Sequence, residues 1–325
     1  MRAAVITAFG GPEVIKIVDV EAPQPAADQV RVRVHAAGIN RADLLQRMGR
    51  YPAPPGASAT IPGLEIAGVV DATGPDVGRW MVGDRVFGIV GGGAHAEQVI
   101  TPQDLLARIP DNLDDTQAGA VPEVFMTAYD ALFTQAELSL GERVLVHAAA
   151  SGVGTAAVQL ARAAGARVWG TTRSPDKHAA VLALGAAGML EAEDFAAQAR
   201  HATSGLGFDV VLDFVGAPYL AGNMEALAPR GRMVVVGTMG GSEGTINLSA
   251  LMGKRLRIHG TVLRSRPRAE KADLTARFAR RVVPLLADGT VRPVVDRVFP
   301  LAEIAAAHAY MESNANIGKI VLRMD

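Results

Sequence analysis

The chain has no cysteine among its 325 residues. This absence excludes disulfide bonds, thiolate nucleophiles, cysteine-bound zinc and iron–sulfur clusters. The seven histidines do not replace the cysteines, because none forms an i, i+4 pair or clusters with carboxylates at the spacing of metal ligands. We therefore expect the histidines to be structural, no metal to be bound, and any redox chemistry to be carried by an organic cofactor.

An excess of one charge and long apolar runs are also missing. Lysine and arginine number 32 against 33 aspartates and glutamates, so the net charge of −1 provides no basic field for nucleic acid or a membrane surface. No run approaches the roughly 18 consecutive apolar residues of a membrane-spanning helix. Because residues 1–6 enter a strand pattern without a cleavable leader, we expect a cytoplasmic protein. The length of 325 residues predicts about two domains.

The first third of the chain has a pattern of strands and turns. Residues 30–34 alternate valine with arginine, which is typical of a half-buried strand. Further short strands are predicted at Leu64–Val70 and Arg85–Val90, between turns rich in glycine, proline and aspartate. Residues 50–58 form a proline-rich loop that has to cross the surface.

From about Gly119 the pattern changes to an alternation of strands and helices. The predicted strands are Arg143–His147, Arg167–Thr171, Phe208–Phe214, Arg232–Gly237 and Arg257–Val262. The predicted helices are Thr155–Ala164, Asp176–Leu184, Phe195–Ala202, Tyr219–Leu227 and Leu248–Lys254. Since several strands are apolar throughout, they suit a parallel sheet covered by helices on both faces. This alternation predicts a doubly wound α/β sheet.

The tail returns to a mixed pattern: a helix at Ala272–Asp288, an extended segment at Val291–Phe299, a helix at Leu301–Glu312 and a strand at Lys319–Met324. We expect this tail to rejoin the first domain, so that the α/β segment is an insertion. The expected domains are a catalytic domain of residues 1–122 and 264–325 and a dinucleotide-binding domain of residues 123–263.

The most informative stretch is residues 149–154, AASGVG, because it joins a predicted strand to a predicted helix. In that context small residues allow a tight turn, and the helix N-terminus presents N–H groups to a pyrophosphate. Only Gly154 matches a glycine of the G-x-G-x-x-G pattern, so a plain strand-to-helix turn is the alternative. The residues expected to bind the pyrophosphate are Ala150, Ser151, Gly152 and Val153.

The end of the next strand indicates which nicotinamide is bound. NAD-specific folds place a carboxylate there for the ribose 2′-hydroxyl, and none stands at the end of this strand. The residues present offer hydroxyls and two cations to a 2′-phosphate instead: Thr172, Arg173, Ser174 and Lys177. We therefore expect NADPH. Ser174 would equally serve as the N-cap of a solvated helix, and Glu191 would oppose a phosphate if it pointed inward.

Five stretches in order carry a family resemblance: Ala36–Leu44, Pro62–Val70, Gly83–Val86, Ala148–Gly154 and Ala315–Leu322. With them the whole chain resembles the zinc-independent quinone oxidoreductases, the zeta-crystallin-like branch of the medium-chain dehydrogenase/reductase superfamily. Residues 239–241 and 263–266, Ser151 and the loop at 50–58 are similar to the p53-inducible sub-branch. The resemblance implies a doubly wound Rossmann sheet inserted in a mostly β, GroES-like catalytic domain, and a homodimer paired through its nucleotide-binding sheets.

The resemblance also bears on metal chemistry. Zinc-dependent relatives have a cysteine ligand where Asn40 stands and a histidine ligand where Leu64 stands. Glu65 alone cannot hold a catalytic zinc, which takes about three protein ligands. The implied reaction is therefore hydride transfer from NADPH to an already electron-poor quinone rather than alcohol oxidation.

The resemblance assigns catalytic roles to Asn40, near the nicotinamide ribose or the substrate carbonyl, and to Tyr51, which would stack on the quinone. Asn40 would equally close a turn before a helix, and Tyr51 would equally anchor its loop. Arg264 is expected at the cofactor, with a surface cation as the alternative. No residue stands out as a general acid, and none is required, since the proton can come from solvent. The further expected cofactor residues are Thr127, Phe214, Val215, Gly237, Thr238, Met239, Leu263, Ser265, Asn314 and Asn316.

Two other functions stay open at this point. The same fold reduces activated C=C bonds of enones, alkenals or enoyl thioesters; a thioester enzyme needs a basic groove, for which Arg264, Arg266, Arg268 and Lys271 are candidates. A non-catalytic NADPH- or RNA-binding role is the third possibility, although the net charge provides no footprint for RNA.

Overall fold

The computed structural model describes residues 1–324, which form two compact units. The terminal unit comprises residues 1–126 and 263–324, and the middle unit comprises residues 127–262. The strands are β1 (Arg2–Ile6), β2 (Ile15–Asp19), β3 (Gln29–Ile39), β4 (Glu65–Thr73), β5 (Arg85–Ile89), β6 (Gln98–Pro102), β7 (Leu106–Arg108), β8 (Arg143–Val146), β9 (Arg167–Thr172), β10 (Gly188–Glu191), β11 (Phe208–Asp213), β12 (Leu227–Val235), β13 (Arg257–Gly260), β14 (Val295–Pro300) and β15 (Lys319–Arg323). The α-helices are α1 (Arg41–Arg47), α2 (Asp115–Gly119), α3 (Pro122–Tyr129), α4 (Gly152–Ala163), α5 (His178–Ala183), α6 (Phe195–Ala202), α7 (Leu220–Ala226), α8 (Leu248–Lys254), α9 (Arg268–Arg281), α10 (Val283–Ala287) and α11 (Ile304–Glu312).

The terminal unit is built on a mostly antiparallel sheet with the strand order β14-β15-β3-β4-β5-β7, and β6 also pairs with β3. Successive side chains of a strand point to opposite faces of the sheet. Val30, Val32 and Val34 of β3 are accordingly buried while Arg33 is exposed. The half-buried strand predicted here is confirmed.

The C-terminal strand joins this sheet beside the long strand β3. β15 runs antiparallel to β3, with Ile320 opposite Ile39. Residues on both sides of the middle unit therefore share one sheet, which confirms the predicted insertion of one fold into another. The same pairing brings Lys319, the first residue of β15, next to Asn40, which directly follows β3.

The middle unit contains a six-stranded sheet with the order β10-β9-β8-β11-β12-β13, in which every neighbouring pair is parallel. Its core includes Leu145, Phe208, Val211 and Met233, all fully buried. The strand order reverses between β8 and β11, and ligands of doubly wound folds bind beyond the carboxyl ends of the strands at that point. The predicted doubly wound sheet is confirmed.

From β8 onward, two elements differ from the sequence-based expectation. β10 was missed, because its sequence GMLE has no β-branched or aromatic residue, the types that favour strands. The predicted helix Ala272–Asp288 is two helices, α9 and α10, separated at Val282. Pro284 has no N–H to continue the ladder of α9, so the first helix ends just before it.

The helices are short. The longest, α9, has 14 residues, and α4 has 12. Within residues 1–324, no helix is both long enough and apolar enough to cross a bilayer.

Candidate active site

A buried cluster of polar side chains lies where β3, β4 and β15 meet in the terminal unit. The Lys319 Nζ is 2.6 Å from Glu65 Oε1 and donates to Asn40 Oδ1 at 2.7 Å. Asn40 Nδ2 donates to the same Glu65 oxygen at 2.8 Å. Glu65 is 0 % and Lys319 3 % exposed. Lys319 and Glu65 therefore form a buried ion pair, and the Asn40 amide is hydrogen-bonded to both partners.

Gly38 makes room for this cluster. A Cβ at position 38 would lie 2.2 Å from Glu65 Oε1 and 2.8 Å from Lys319 Cε. Because those atoms belong to the buried ion pair, they cannot move aside without breaking it. The glycine of the stretch Ala36–Leu44 is thus explained by close packing rather than by an unusual backbone angle.

Asn40 also begins α1, where it forms a capping box with Asp43. Its N–H donates to Asp43 Oδ2 at 2.8 Å, and the other carboxylate oxygen of Asp43 accepts from Gly63 N at 3.0 Å. Asn40 therefore closes the turn before α1 and also lies in a buried polar environment. The contacts with Glu65 and Lys319 leave the Asn40 amide little capacity for a ligand, and its contact with nicotinamide or substrate stays a prediction.

Glu123 borders the same cluster and was not singled out from the sequence. It occupies the first turn of α3, and its N–H donates to Glu65 Oε2 at 2.8 Å. Burial and the negative charge of Glu65 raise the pKa of the Glu123 carboxyl to about 8. At neutral pH this side chain is therefore mostly a neutral acid. No sequence signal marked it, because the burial comes from distant strands.

Arg264 is enclosed in the terminal unit, so its interpretation as a surface cation is wrong: it is 4 % exposed. Its guanidinium donates to Gln46 Oε1 at 2.6 Å and to the carbonyl of Gly91 at 2.8 Å. Its Cζ lies 5.1 Å from the centre of the Tyr51 ring. The guanidinium thus supports the proline-rich loop and holds the Tyr51 ring in a cation–π contact. Its contact with a cofactor stays a prediction.

Two more residues of the predicted basic groove, Arg268 and Lys271, are engaged by other groups of the protein. Arg268 pairs with Asp28 and with Asp104. The ammonium of Lys271 donates to the carbonyl of Arg264 at 2.9 Å. These contacts reduce the positive field that an enoyl-thioester phosphate would require.

In the middle unit, the turn after β8 has the geometry of a phosphate-binding turn. Ser151 is the N-cap of α4, and its Oγ accepts from Gly154 N at 3.1 Å. A Cβ at position 154 would lie 2.4 Å from the Ala148 carbonyl oxygen, so only glycine allows the helix to approach the turn this closely. The first N–H groups of a helix have no acceptor within that helix. The turn therefore fits the pyrophosphate of a dinucleotide.

A buried chain of hydrogen bonds joins the carboxyl ends of the central strands. His147 Nδ1 lies 2.9 Å from Thr171 Oγ1, and His147 Nε2 lies 2.6 Å from Asn223 Oδ1. Asn223 donates to Asp213, which accepts from the N–H groups of Val215 and Gly216. Burial lowers the pKa of His147 to about 4, so the imidazole is neutral. This chain positions the predicted loop at Val215, and sequence reasoning had identified only the structural character of the histidine.

The predicted 2′-phosphate residues follow β9. Arg173 is exposed, whereas Thr172 and Lys177 are buried, and Thr172 Oγ1 donates to the carbonyl of Ser174 at 2.8 Å. Ser174 makes no N-capping side-chain hydrogen bond. Glu191 is exposed at the end of β10, in register with Thr172. Their roles toward a phosphate stay predictions.

The remaining expected residues are distributed over both units. In the terminal unit, Leu263 is buried and Ser265 exposed, Asn314 accepts from Arg41 at 2.7 Å, and Asn316 donates to the carbonyl of Gly318 at 2.9 Å. The middle unit carries Thr127 and Phe214, which are buried, Gly237, which is half-buried, and Thr238 and Met239, which are exposed. In the part of the chain that is described, no group of three or more His, Asp or Glu side chains is placed to hold a metal ion.

A GroES-like antiparallel unit interrupted by a doubly wound sheet with a dinucleotide turn defines the medium-chain dehydrogenase/reductase class. Family comparison agrees: residues 26–111 match "Alcohol dehydrogenase GroES-like domain", and residues 152–280 match "Zinc-binding dehydrogenase".

Individual relatives narrow the class. The chain is 34 % identical to a quinone oxidoreductase of Rattus norvegicus over 328 residues, covering 99 % of this chain and 97 % of the relative. It is 35 % identical to a quinone oxidoreductase of Pseudomonas aeruginosa over 322 residues, covering 97 % of each. The chain belongs to the zinc-independent quinone oxidoreductases, and it is an oxidoreductase of that family.

Solved structures extend the comparison over the whole chain. An NAD-dependent alcohol dehydrogenase matches with a TM-score of 0.90 at 34 % identity and covers 100 % of both chains. The mycobacterial protein Rv1454c complexed with NADPH matches with a TM-score of 0.90 at 29 % identity and covers 99 % of this chain and 100 % of that one. The CurK enoyl reductase matches with a TM-score of 0.88 at 29 % identity, covering 100 % and 99 %. The chain therefore belongs among nicotinamide-dependent oxidoreductases.

Proposed function

We propose that the protein transfers hydride from NADPH to quinones without the help of a metal ion. The observation that carries the proposal is the closed Asn40–Glu65–Lys319 cluster in a chain of the quinone oxidoreductase family. The Lys319 ammonium already neutralises Glu65, the one carboxylate that the zinc-dependent pattern would share. Without a Lewis acid, the substrate has to be electron-poor by itself, as a quinone is.

The nicotinamide supplies the hydride, and the protein supplies binding, orientation and a dry site. Residues 150–153 at the start of α4 would hold the pyrophosphate. Thr127, Phe214–Val215, Gly237–Met239, Leu263–Ser265, Asn314 and Asn316 are proposed to contact the remainder of the cofactor. Tyr51, whose ring is held against Arg264, would stack on the quinone.

The preference for NADPH rests on the end of β9. Thr172, Arg173, Ser174 and Lys177 provide two cations and two hydroxyls, and no carboxylate stands among residues 172–174. A dianionic 2′-phosphate is stabilised by such a group, and a 2′-hydroxyl is not. The NADPH complex of the mycobacterial relative is consistent with this preference.

The domain roles and assembly follow from the same proposal. We assign the substrate to a catalytic domain of residues 1–122 and 264–325 and the dinucleotide to a domain of residues 123–263. β13 is an edge strand of the six-stranded sheet and is free to pair with a second copy. A cytoplasmic homodimer is the proposed form.

The second candidate is reduction of an activated C=C bond, which the match to an enoyl reductase favours. The contacts of Arg264, Arg268 and Lys271 within the terminal unit argue against a phosphate-bearing thioester. An enone or alkenal without a phosphate would avoid this objection.

The test is oxidation of NADPH and of NADH, followed by absorbance, with four acceptors in parallel: 1,2-naphthoquinone, 9,10-phenanthrenequinone, an alkenal and crotonyl-coenzyme A. We expect the fastest turnover with the ortho-quinones and NADPH. Faster reduction of the alkenal or thioester would move the function to C=C reduction. NADPH binding without turnover of any acceptor would instead support a non-catalytic role, with RNA binding then tested at physiological salt.

A further inference from the structure

Glu123 is a half-buried acid whose carboxyl has no hydrogen-bonding partner. Its backbone N–H is fixed by Glu65 Oε2 at 2.8 Å, which fastens the first turn of α3 to the Asn40–Glu65–Lys319 cluster. Among residues 1–324, no side chain or backbone group is hydrogen-bonded to its carboxyl oxygens. The residue is not sealed from solvent, since it is only half-buried. It is therefore available to a bound molecule.

Charged and titratable groups from several elements face this carboxyl. They are Glu65 on β4, Lys319 on β15, Asp43 on α1, Tyr51 on its loop, Arg264 after the middle unit and Lys271 on α9. The Lys319 charge is already engaged by Glu65 and that of Arg264 by Tyr51, Gln46 and Gly91. Two carboxylates that share a poorly hydrated site do not both ionise readily.

The buried cluster links Glu123 to the proposed substrate site, because Glu65 accepts from both the Glu123 N–H and Asn40 Nδ2, at 2.8 Å each. Burial of the Tyr51 phenol, and after it the negative charge of an ionised Glu123, raise the pKa of that phenol. The tyrosine therefore does not release its proton readily. Glu123, with a pKa of about 8, is the stronger acid of the two at neutral pH.

We propose that Glu123 is the proton donor for the reduced substrate. The inference rests on the proposed quinone reduction. The quinone receives two electrons with the hydride and becomes an oxyanion; this oxygen takes the carboxylic proton of Glu123, and the O–H bond of the acid breaks. The resulting carboxylate then takes a proton from solvent. One quinone, one hydride and one proton thus give one hydroquinone.

The first experiment compares wild type with Glu123→Gln, which keeps the shape of the side chain but has no acidic proton. We expect kcat with an ortho-quinone and NADPH to fall about 100-fold, in the range of general acid catalysis, with little change in either KM. The wild-type kcat should fall as the pH rises through about 8, because the acid form is lost. The variant should lack this fall, and Glu123→Asp should recover part of the rate.

The control is Glu21→Gln, which removes an exposed carboxylate that makes no contact with the cluster; its rate and pH profile should match the wild type. The second readout is the infrared C=O stretch of a protonated carboxylic acid in the free enzyme at pH 7, taken as the difference between wild type and Glu123→Gln. This band should disappear as the pH passes about 8.

The outcomes separate this inference from the function on which it rests. A wild type that turns over no quinone overturns the proposed function. A wild type that is active, with Glu123→Gln equally fast, overturns only the role of Glu123. An ionised Glu123 at pH 7 in the infrared difference overturns that role irrespective of turnover.

Discussion

Single residues hold the candidate site together through paired charges. Lys319 and Glu65 lie almost completely out of water, where an isolated charge is costly and a hydrogen-bonded pair is tolerated. Asn40 adds one hydrogen bond to each partner. Removing one member therefore leaves an uncompensated buried charge rather than merely a lost contact.

The first residue-scale prediction concerns Lys319→Met. We expect it to lower the free energy of unfolding by about 3–5 kcal/mol, because Glu65 is left buried without its cation. Denaturant unfolding measures the effect, with Lys16→Met, the loss of an exposed lysine, as control. The double variant Glu65→Gln with Lys319→Met should recover part of the loss. Equal effects of Lys319→Met and Lys16→Met would contradict the prediction.

The second residue-scale prediction tests the cofactor preference. Arg173→Ala combined with Lys177→Ala should raise the KM for NADPH about tenfold or more and leave that for NADH nearly unchanged, because only NADPH carries the 2′-phosphate. Steady-state kinetics with both cofactors measures the split. Lys16→Ala with Arg79→Ala removes the same charge from exposed positions and should change neither value. Equal losses with both cofactors would show that these residues do not recognise the phosphate.

At the scale of the elements, turns and strand ends decide where ligands can bind. The turn before α4 depends on close approach of helix and strand, and the loops after β8, β9 and β11 depend on the His147–Asn223–Asp213 chain. Both arrangements place backbone groups, not reactive side chains, at the proposed cofactor site. Disrupting the turn or the hydrogen-bond chain should therefore first lower the stability of the fold and the affinity for the cofactor.

Gly154→Ala tests the turn. The added methyl group would meet the backbone of Ala148 and Ala149, which cannot move like a side chain. We expect a loss of about 1–3 kcal/mol in the free energy of unfolding, as for overpacking, together with weaker NADPH binding. Gly253→Ala in α8 meets open space and should instead stabilise by about 0.5–1 kcal/mol. Thermal unfolding and NADPH titration distinguish the pair, and a neutral Gly154→Ala would contradict the packing argument.

His147 makes the stability of the protein depend on pH. Its pKa is about 4 when buried, against 6.5 as the ordinary value, so the unfolded chain binds more protons between these limits. The stabilisation is complete above pH 6.5 and decreases as the pH falls toward 4, by up to about 3 kcal/mol. Denaturant unfolding across this window should show a shallower slope in His147→Gln than in wild type. His201→Gln, at an exposed site, should keep the wild-type slope, and an unchanged slope in both variants would contradict the prediction.

At the scale of the whole molecule, the proposed homodimer depends on the edges of the six-stranded sheet. An edge strand presents unpaired backbone groups to any neighbouring strand. β13 forms one such edge, and Val262, two residues beyond it, is 48 % exposed. These features are consistent with pairing between two copies, as in the proposed homodimer.

Light scattering after size exclusion tests the dimer. We expect twice the mass of the 33.9 kDa chain. Val262→Asp introduces a charge beside the proposed interface and should shift the population toward monomer. Leu206→Asp changes another exposed apolar residue of the middle unit and should leave the mass unchanged. A wild-type monomer would end the proposal.

Much of the fold was predictable because it depends on local patterns. Valine alternates with arginine in β3, and strands alternate with helices after Gly119. Each pattern depends only on residues close together in the chain. β10 and the break at Val282 were missed for local reasons as well, since β10 has no β-branched or aromatic residue and Pro284 interrupts an otherwise amphipathic pattern.

The candidate site was predictable only in part. The sequence by itself determined the strand-to-helix turn around Gly154, the absence of cysteine ligands and the doubly wound architecture, because each depends on residue type and near-neighbour order. Only the tertiary structure decided that Lys319 neutralises Glu65, that Arg264 supports Tyr51, and that Glu123 is left without a partner. Burial and pairing of charges depend on strands far apart in the chain, and that is why residue order alone did not reveal them.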